Sequence, residues 1–194
     1  MLLGSTMNAN VAFELSERIP HLGLRMKEHS HRAKVFATRL KNLGFKVIYP
    51  GLEDHPHHDL LKSMHNKDYG YGGLFCIDME TEERANSLMN HLQLWTRTRP
   101  MVSEAHDQHR STWQNKNHGQ FGFMAVSLGY YETLMSCSGS STSSELSSEE
   151  KFLAGISPGL IGMSIGYIGT LEQKWSQLEK ALTRLQEYGL TNKN

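Results

Sequence analysis

The uncharged run GISPGLIGMSIGYIGT, residues 155–170, constrains this chain more than any other stretch. It holds five glycines and a proline in 16 residues. Its centre, LIGMSIGYI, reads as a strand bounded by turn residues. A glycine inside a strand costs entropy and packs nothing, so it marks a bulge, a close backbone approach or a lost side chain. Gly162 sits at that point. The same run contains G-x-S-x-G, a nucleophile-elbow spacing, at Gly155 to Gly159. That chemistry needs the backbone N–H of the residue after the serine. Here the residue is Pro158, which has none, so a loop entering a strand is the expectation.

Other segments fill in around it. Residues 7–43 read as helix, with a break at Pro20 and a cap at Gly44. FKVIYP, YGGLFCIDM and FMAVSLGY read as further strands. LLKSMHN reads as a short helix and ETEERANSLMNHLQLW as a longer one, with acids suited to its first turn. Ser147 and Glu150 form a capping-box pattern after a Ser/Thr loop, and TLEQKWSQLEKALTRLQEYG is an amphipathic last helix. Residues 94–120 carry two of three tryptophans but no clear period, as an insertion would. The resulting class is α+β: a small, mostly antiparallel sheet with covering helices, preceded by a long N-terminal helix. Residues 1–43 form the helical lead-in and 44–194 the small domain.

Charge balances, with 20 basic and 20 acidic residues. That points away from nucleic acid and from anionic membranes. No apolar run reaches the roughly 20 residues of a membrane span, and the first residues lack a secretory pattern. A cytoplasmic chain with Cys76 and Cys137 reduced is expected. His29, His31, His55, His57 and His58 cluster in HSH and HPHH, but positions i and i+2 of a helix do not share a face. They read as solvated histidines and no metal site is expected. Lys27, Lys34 and Lys41, seven apart on one helix, read as a solvated stripe. YGYGG at residues 69–73 is glycine-rich. It enters a strand rather than opening a helix, so it reads as a turn and not as a phosphate loop.

The ordered segments LGSTMNANVAFELSERIPHLGLRMKEHS, VIYPGLEDHPHH, DYGYGGLFCIDMET, FGFMAVSLGYYETLMSCSGSSTSSEL and AGISPGLIGMSIGYIGTLEQKW resemble the C-terminal part of the Cys/Met-metabolism family of pyridoxal-phosphate enzymes, closest to its plant γ-lyase branch. The resemblance covers essentially the whole chain except residues 94–120. It implies the small domain of the fold-type-I architecture. It also implies that the Schiff-base lysine, the aspartate facing the pyridine nitrogen and the ring-stacking aromatic belong to a preceding domain with no counterpart in these residues. Ser127 then matches a serine near the substrate carboxylate, and Thr142 a threonine of the same pocket wall. The main carboxylate anchor of the family is an arginine in GISxGLxRxSxG. Here the motif reads GISPGLIGMSIG, with Gly162 in the arginine's place. A bidentate charged contact is worth a few kcal/mol, so its loss alone weakens binding by roughly two orders of magnitude. The expectation is a truncated, catalytically silent member with no catalytic residues and no pyridoxal phosphate bound by this chain. The rivals are an interaction or regulatory module that pairs with an intact homologue or another protein, as a homo- or hetero-oligomer with a homologous enzyme for instance, and a working pyridoxal-phosphate-dependent carbon–sulfur lyase.

Overall fold

The computed structural model describes residues 6–93 and 121–187. The first helical stretch breaks where Pro20 predicts. Helix α1 (Ala9–Arg18) is capped by the Asn8 side chain, which accepts from the Asn10 N–H at 2.8 Å. A 3₁₀ turn (Ile19–His21) leads into α2 (Leu22–Asn42). Gly44, at φ +88°, turns the chain out of the helix into β1 (Lys46–Ile48). Then come α3 (His58–Met64), β2 (Leu74–Asp78), α4 (Glu82–Gln93), β3 (Gly122–Met124), β4 (Thr133–Cys137), α5 (Ser148–Leu153), β5 (Leu160–Ser164) and α6 (Leu171–Glu187). Both halves of the Ser147–Glu150 capping box form at the start of α5. The stretch read as an insertion, 94–120, lies outside the described residues.

The strands form one open sheet in the order β1-β2-β5-β4-β3. Every pairing is antiparallel except β3 with β4. The expected α+β class, mostly antiparallel, therefore holds. Two details differ from the sequence expectation. FMAVSLGY supplies only the end of a three-residue strand; after Met124 the chain leaves the sheet. A fifth strand, β4, follows it. The chain leaves because Gly129, at φ +70°, is held out of line: its N–H donates to Ser164 Oγ at 3.0 Å and its carbonyl accepts from Arg25 at 3.1 Å.

Alternation along the strands divides the sheet into two faces. Phe75, Ile77, Met135, Cys137, Ile161 and Met163 point to one face and join the core. Ala33, Phe36 and Leu40 of α2, Leu88 and Leu92 of α4, and Leu178 and Leu182 of α6 cover them. The other face carries Leu74, Cys76, Leu134, Ser136, Leu160, Gly162 and Ser164, none of which belongs to the core cluster. Cys76 and Cys137 are both free and point to opposite faces of the sheet. Burial raises the Cys76 thiol above its ordinary value. No described helix is long and apolar enough to cross a membrane.

Candidate functional site

Gly162 lies at the middle of the central strand, on the face opposite the main core cluster. Its Cα partners are Cys76 on β2 and Ser136 on β4. Both ladders run through it without an extra residue, so there is no bulge. A Cβ built at Gly162 meets only the Ser136 carbonyl oxygen, at 4.0 Å. The space above it is open, which removes the close-approach reading.

The other glycines of the run are each explained by the fold. Gly155 and Gly169 adopt φ near +70°, a region that L side chains avoid. A Cβ at Gly159 would lie 2.6 Å from the backbone nitrogens of Glu80 and Thr81, and one at Gly166 would lie 2.3 Å from the Glu132 carbonyl carbon and the Tyr131 oxygen. Of the five, Gly162 alone has no local reason to be glycine.

Ser127 and Thr142 sit at opposite ends of this strand. Ser127 is exposed on the loop that Gly129 ties to Ser164, at the end of β5. Thr142 is exposed on the loop after β4. The Ser138 N–H, donating to the Leu160 carbonyl at 2.8 Å, fixes that loop to the start of β5. The two loops thus flank Gly162 along the strand. Neither hydroxyl has a hydrogen-bond partner among the described residues, and no contact joins either to Gly162.

The remaining motif residues take structural roles. Ser157, the serine of G-x-S-x-G, donates to Asp78 Oδ1. Asp78 also accepts from Lys46 Nζ at 2.7 Å and from the Glu80 N–H at 2.9 Å. Burial pushes its carboxyl up, but these donors together outweigh burial and hold it below the usual aspartate value. Two histidines are not solvated, contrary to the sequence expectation. His29 and His58 are only 3% and 7% exposed. Each Nδ1 meets a backbone carbonyl, Ile165 at 2.5 Å and Pro50 at 2.9 Å, so each ring donates into tertiary structure, while the buried Nε2 of His29 has no partner among the described residues. No group of three or more ligating side chains occurs among the described residues.

A pyridoxal-phosphate aldimine needs an amine that can lose its proton beside a cavity. Lys174 is the buried lysine among the described residues. Burial lowers its pKa, opposed by Glu132. Its Nζ is committed as a donor to the Phe121 carbonyl at 3.1 Å and to Glu132 at 3.5 Å. The other described lysines are exposed, and Lys151 half-exposed. Among the described residues, the one buried lysine is thus already a donor within the fold.

The family described as "Cys/Met metabolism PLP-dependent enzyme" matches residues 1–102. Methionine gamma-lyase of Arabidopsis thaliana is 66% identical over 185 residues, which cover 95% of this chain and 37% of that protein. Cystathionine gamma-lyase of Bacillus subtilis is 28% identical over 84% of this chain and 36% of that protein. The chain thus spans well under half the length of the curated relatives it matches. Among solved structures, cystathionine gamma synthase from Xanthomonas oryzae pv. oryzae, in complex with cystathionine, superposes with a TM-score of 0.71. The identity is 26%, over 95% of this chain and 41% of that one.

Proposed function

The chain belongs to the Cys/Met metabolism family of pyridoxal-phosphate-dependent enzymes, and from that premise we propose that its residues form the substrate-facing wall of a methionine-gamma-lyase-like protein that has lost its carboxylate anchor. The observation that carries this reading is the open space at Gly162, on the central strand, in a glycine run whose other members the fold requires. An arginine there would have room to reach out from the sheet. A glycine offers an α-amino-acid carboxylate no side-chain donor. On this reading the chain does not bind pyridoxal phosphate and does not run the lyase reaction on its own residues.

The test joins this chain to the complementary portion of the Arabidopsis enzyme, with and without Gly162→Arg. The arginine chimera should turn over methionine with a kcat/KM roughly a hundredfold higher, from a few kcal/mol of carboxylate binding. Equal activity of the two chimeras would show Gly162 to be innocent. The chain alone, mixed with pyridoxal phosphate and desalted, should keep no visible aldimine band.

A second reading, an oligomeric partner of a homologous enzyme, is favoured by exposed apolar residues that the fold leaves unused. Val11, Phe13, Leu15 and Ile19 of the first helical stretch are 46–66% exposed, and Val126 and Leu128 are each 67% exposed. Isolated exposed apolar residues are ordinary, but a run of them marks a surface for association. Co-purification with a larger homologue from the native source would support this reading. A native complex containing no second polypeptide species would oppose its heteromeric form.

A further inference from the structure

The turn YGYGG and the lysine stripe of α2, unrelated in sequence, come together on one cleft of about 410 Å³. That volume suits a small molecule. Lys27 and Lys34 stand on one wall, Lys62 of α3 on another, and Lys67 on the loop that follows. One carboxylate, Asp68, lines the cleft with these four ammonium groups. None of the four lysines makes an ion pair among the described residues, although Lys41 and Lys46 nearby do. In a chain whose charge balances overall, this is a local excess of unneutralised cations.

The cleft is also built rather than merely lined. Tyr71 is stacked between His58, at 5.1 Å, and His65, at 4.5 Å, both rings inclined by 26°. Both histidine Nδ1 atoms meet backbone carbonyls, Pro50 and Leu61, so the stack ties α3 to the turn. Lys34 Nζ lies 5.6 Å from the centre of that fixed ring, and Lys27 Nζ lies 6.0 Å from the centre of Tyr69. Cation–π contacts of this length bias where flexible ammonium groups rest. At the base, Ser30 is 4% exposed. Its Oγ accepts from the Gly72 N–H at 3.0 Å, and its own O–H has no acceptor among the described residues.

We propose that this cleft binds a small, soluble, multiply charged phosphoryl anion, such as a diphosphate group alone or on a nucleotide. Four lysines facing one carboxylate exceed what a monoanion neutralises. Ammonium groups serve phosphates as point charges without demanding a planar partner. The Ser30 hydroxyl supplies a further donor at the base. The site shares no lining residue with Gly162 or its strand neighbours.

The test titrates the full chain with inorganic pyrophosphate and with ADP by calorimetry, at physiological ionic strength so that loose surface attraction is screened. Saturable one-to-one binding of at least one probe is expected. Lys34→Gln/Lys62→Gln should weaken it by roughly tenfold or more, and Lys180→Gln on α6 should leave it unchanged. All three side chains are exposed, and matching thermal melts check that the variants fold. Stronger binding of ADP than of pyrophosphate would extend the site to a nucleotide, and equal binding would confine it to the phosphates. Absence of saturable binding would overturn the proposal, as would equal affinity in the double variant. Capture by phosphoinositide vesicles without binding of either soluble probe would also overturn it.

Discussion

Position 162 illustrates how two glycines four residues apart answer to different constraints. A side chain at 162 meets open space, whereas one at 166 collides with the backbone of Tyr131 and Glu132. Gly162→Arg should therefore shift stability by no more than about 1 kcal/mol, because this half-buried position leaves room for the new side chain. Gly166→Ala, a far smaller change, should cost about 3 kcal/mol, because rigid backbone must move. Chemical denaturation of the two variants beside the parent checks both. If Gly162→Arg destabilised as much as Gly166→Ala, the space at 162 would not be open in solution. The sequence raised the question about Gly162 but could not answer it. Bulge, close approach and lost side chain all look alike in one dimension, and only the neighbouring strands separate them.

At the scale of elements, Asp78 fastens the end of β2 to the turn at Ser157 and to its own following turn at Glu80. Lys46 also reaches it, but that side chain is 71% exposed, so the ion pair itself contributes little. Asp78→Asn should lower stability at pH 7 by about 1–3 kcal/mol, as loss of charged hydrogen bonds does. The pH dependence has a definite sign. A carboxyl held lower in the folded chain than its unfolded value of about 3.9 stabilises above that pH, and the benefit fades as pH falls through the lower folded value. The parent should therefore lose this increment below about pH 4, and Asp78→Asn should show a flatter acid limb in urea midpoints. A parallel decline in both would remove Asp78 as its source. Most elements were legible beforehand: the break at Pro20, the cap at Gly44 and the box at Ser147 are local chemistry. The missed strand, Thr133–Cys137, was not. Its five residues have no polar alternation because four of them are buried, and FMAVSLGY before it offered a more strand-like pattern that tertiary ties at Gly129 interrupt. His29 and His58 were misread for a related reason, since their carbonyl partners lie on other elements. The lysine cleft was hidden likewise: its walls are assembled from α2, α3 and a turn, and none of the three is distinctive alone.

Across the whole molecule, the helices crowd one face of the sheet and α1 contributes no buried residue. Deleting residues 1–18 should leave the thermal midpoint within a few degrees of the parent, because α1 supplies no packing to lose. The same deletion should reduce any association seen by light scattering, since it removes Val11, Phe13 and Leu15, all exposed. A large fall in the midpoint would mean that α1 docks on its own chain. The vacant place on the central strand has a consequence for inheritance as well as for chemistry. Glycine and arginine codons lie a single base apart, and the sheet accommodates either residue at position 162. Selection for folding is therefore blind to which of them is there. Only a requirement for the side chain's charge could hold arginine in place, and where that requirement lapses the residue is free to go and free to return.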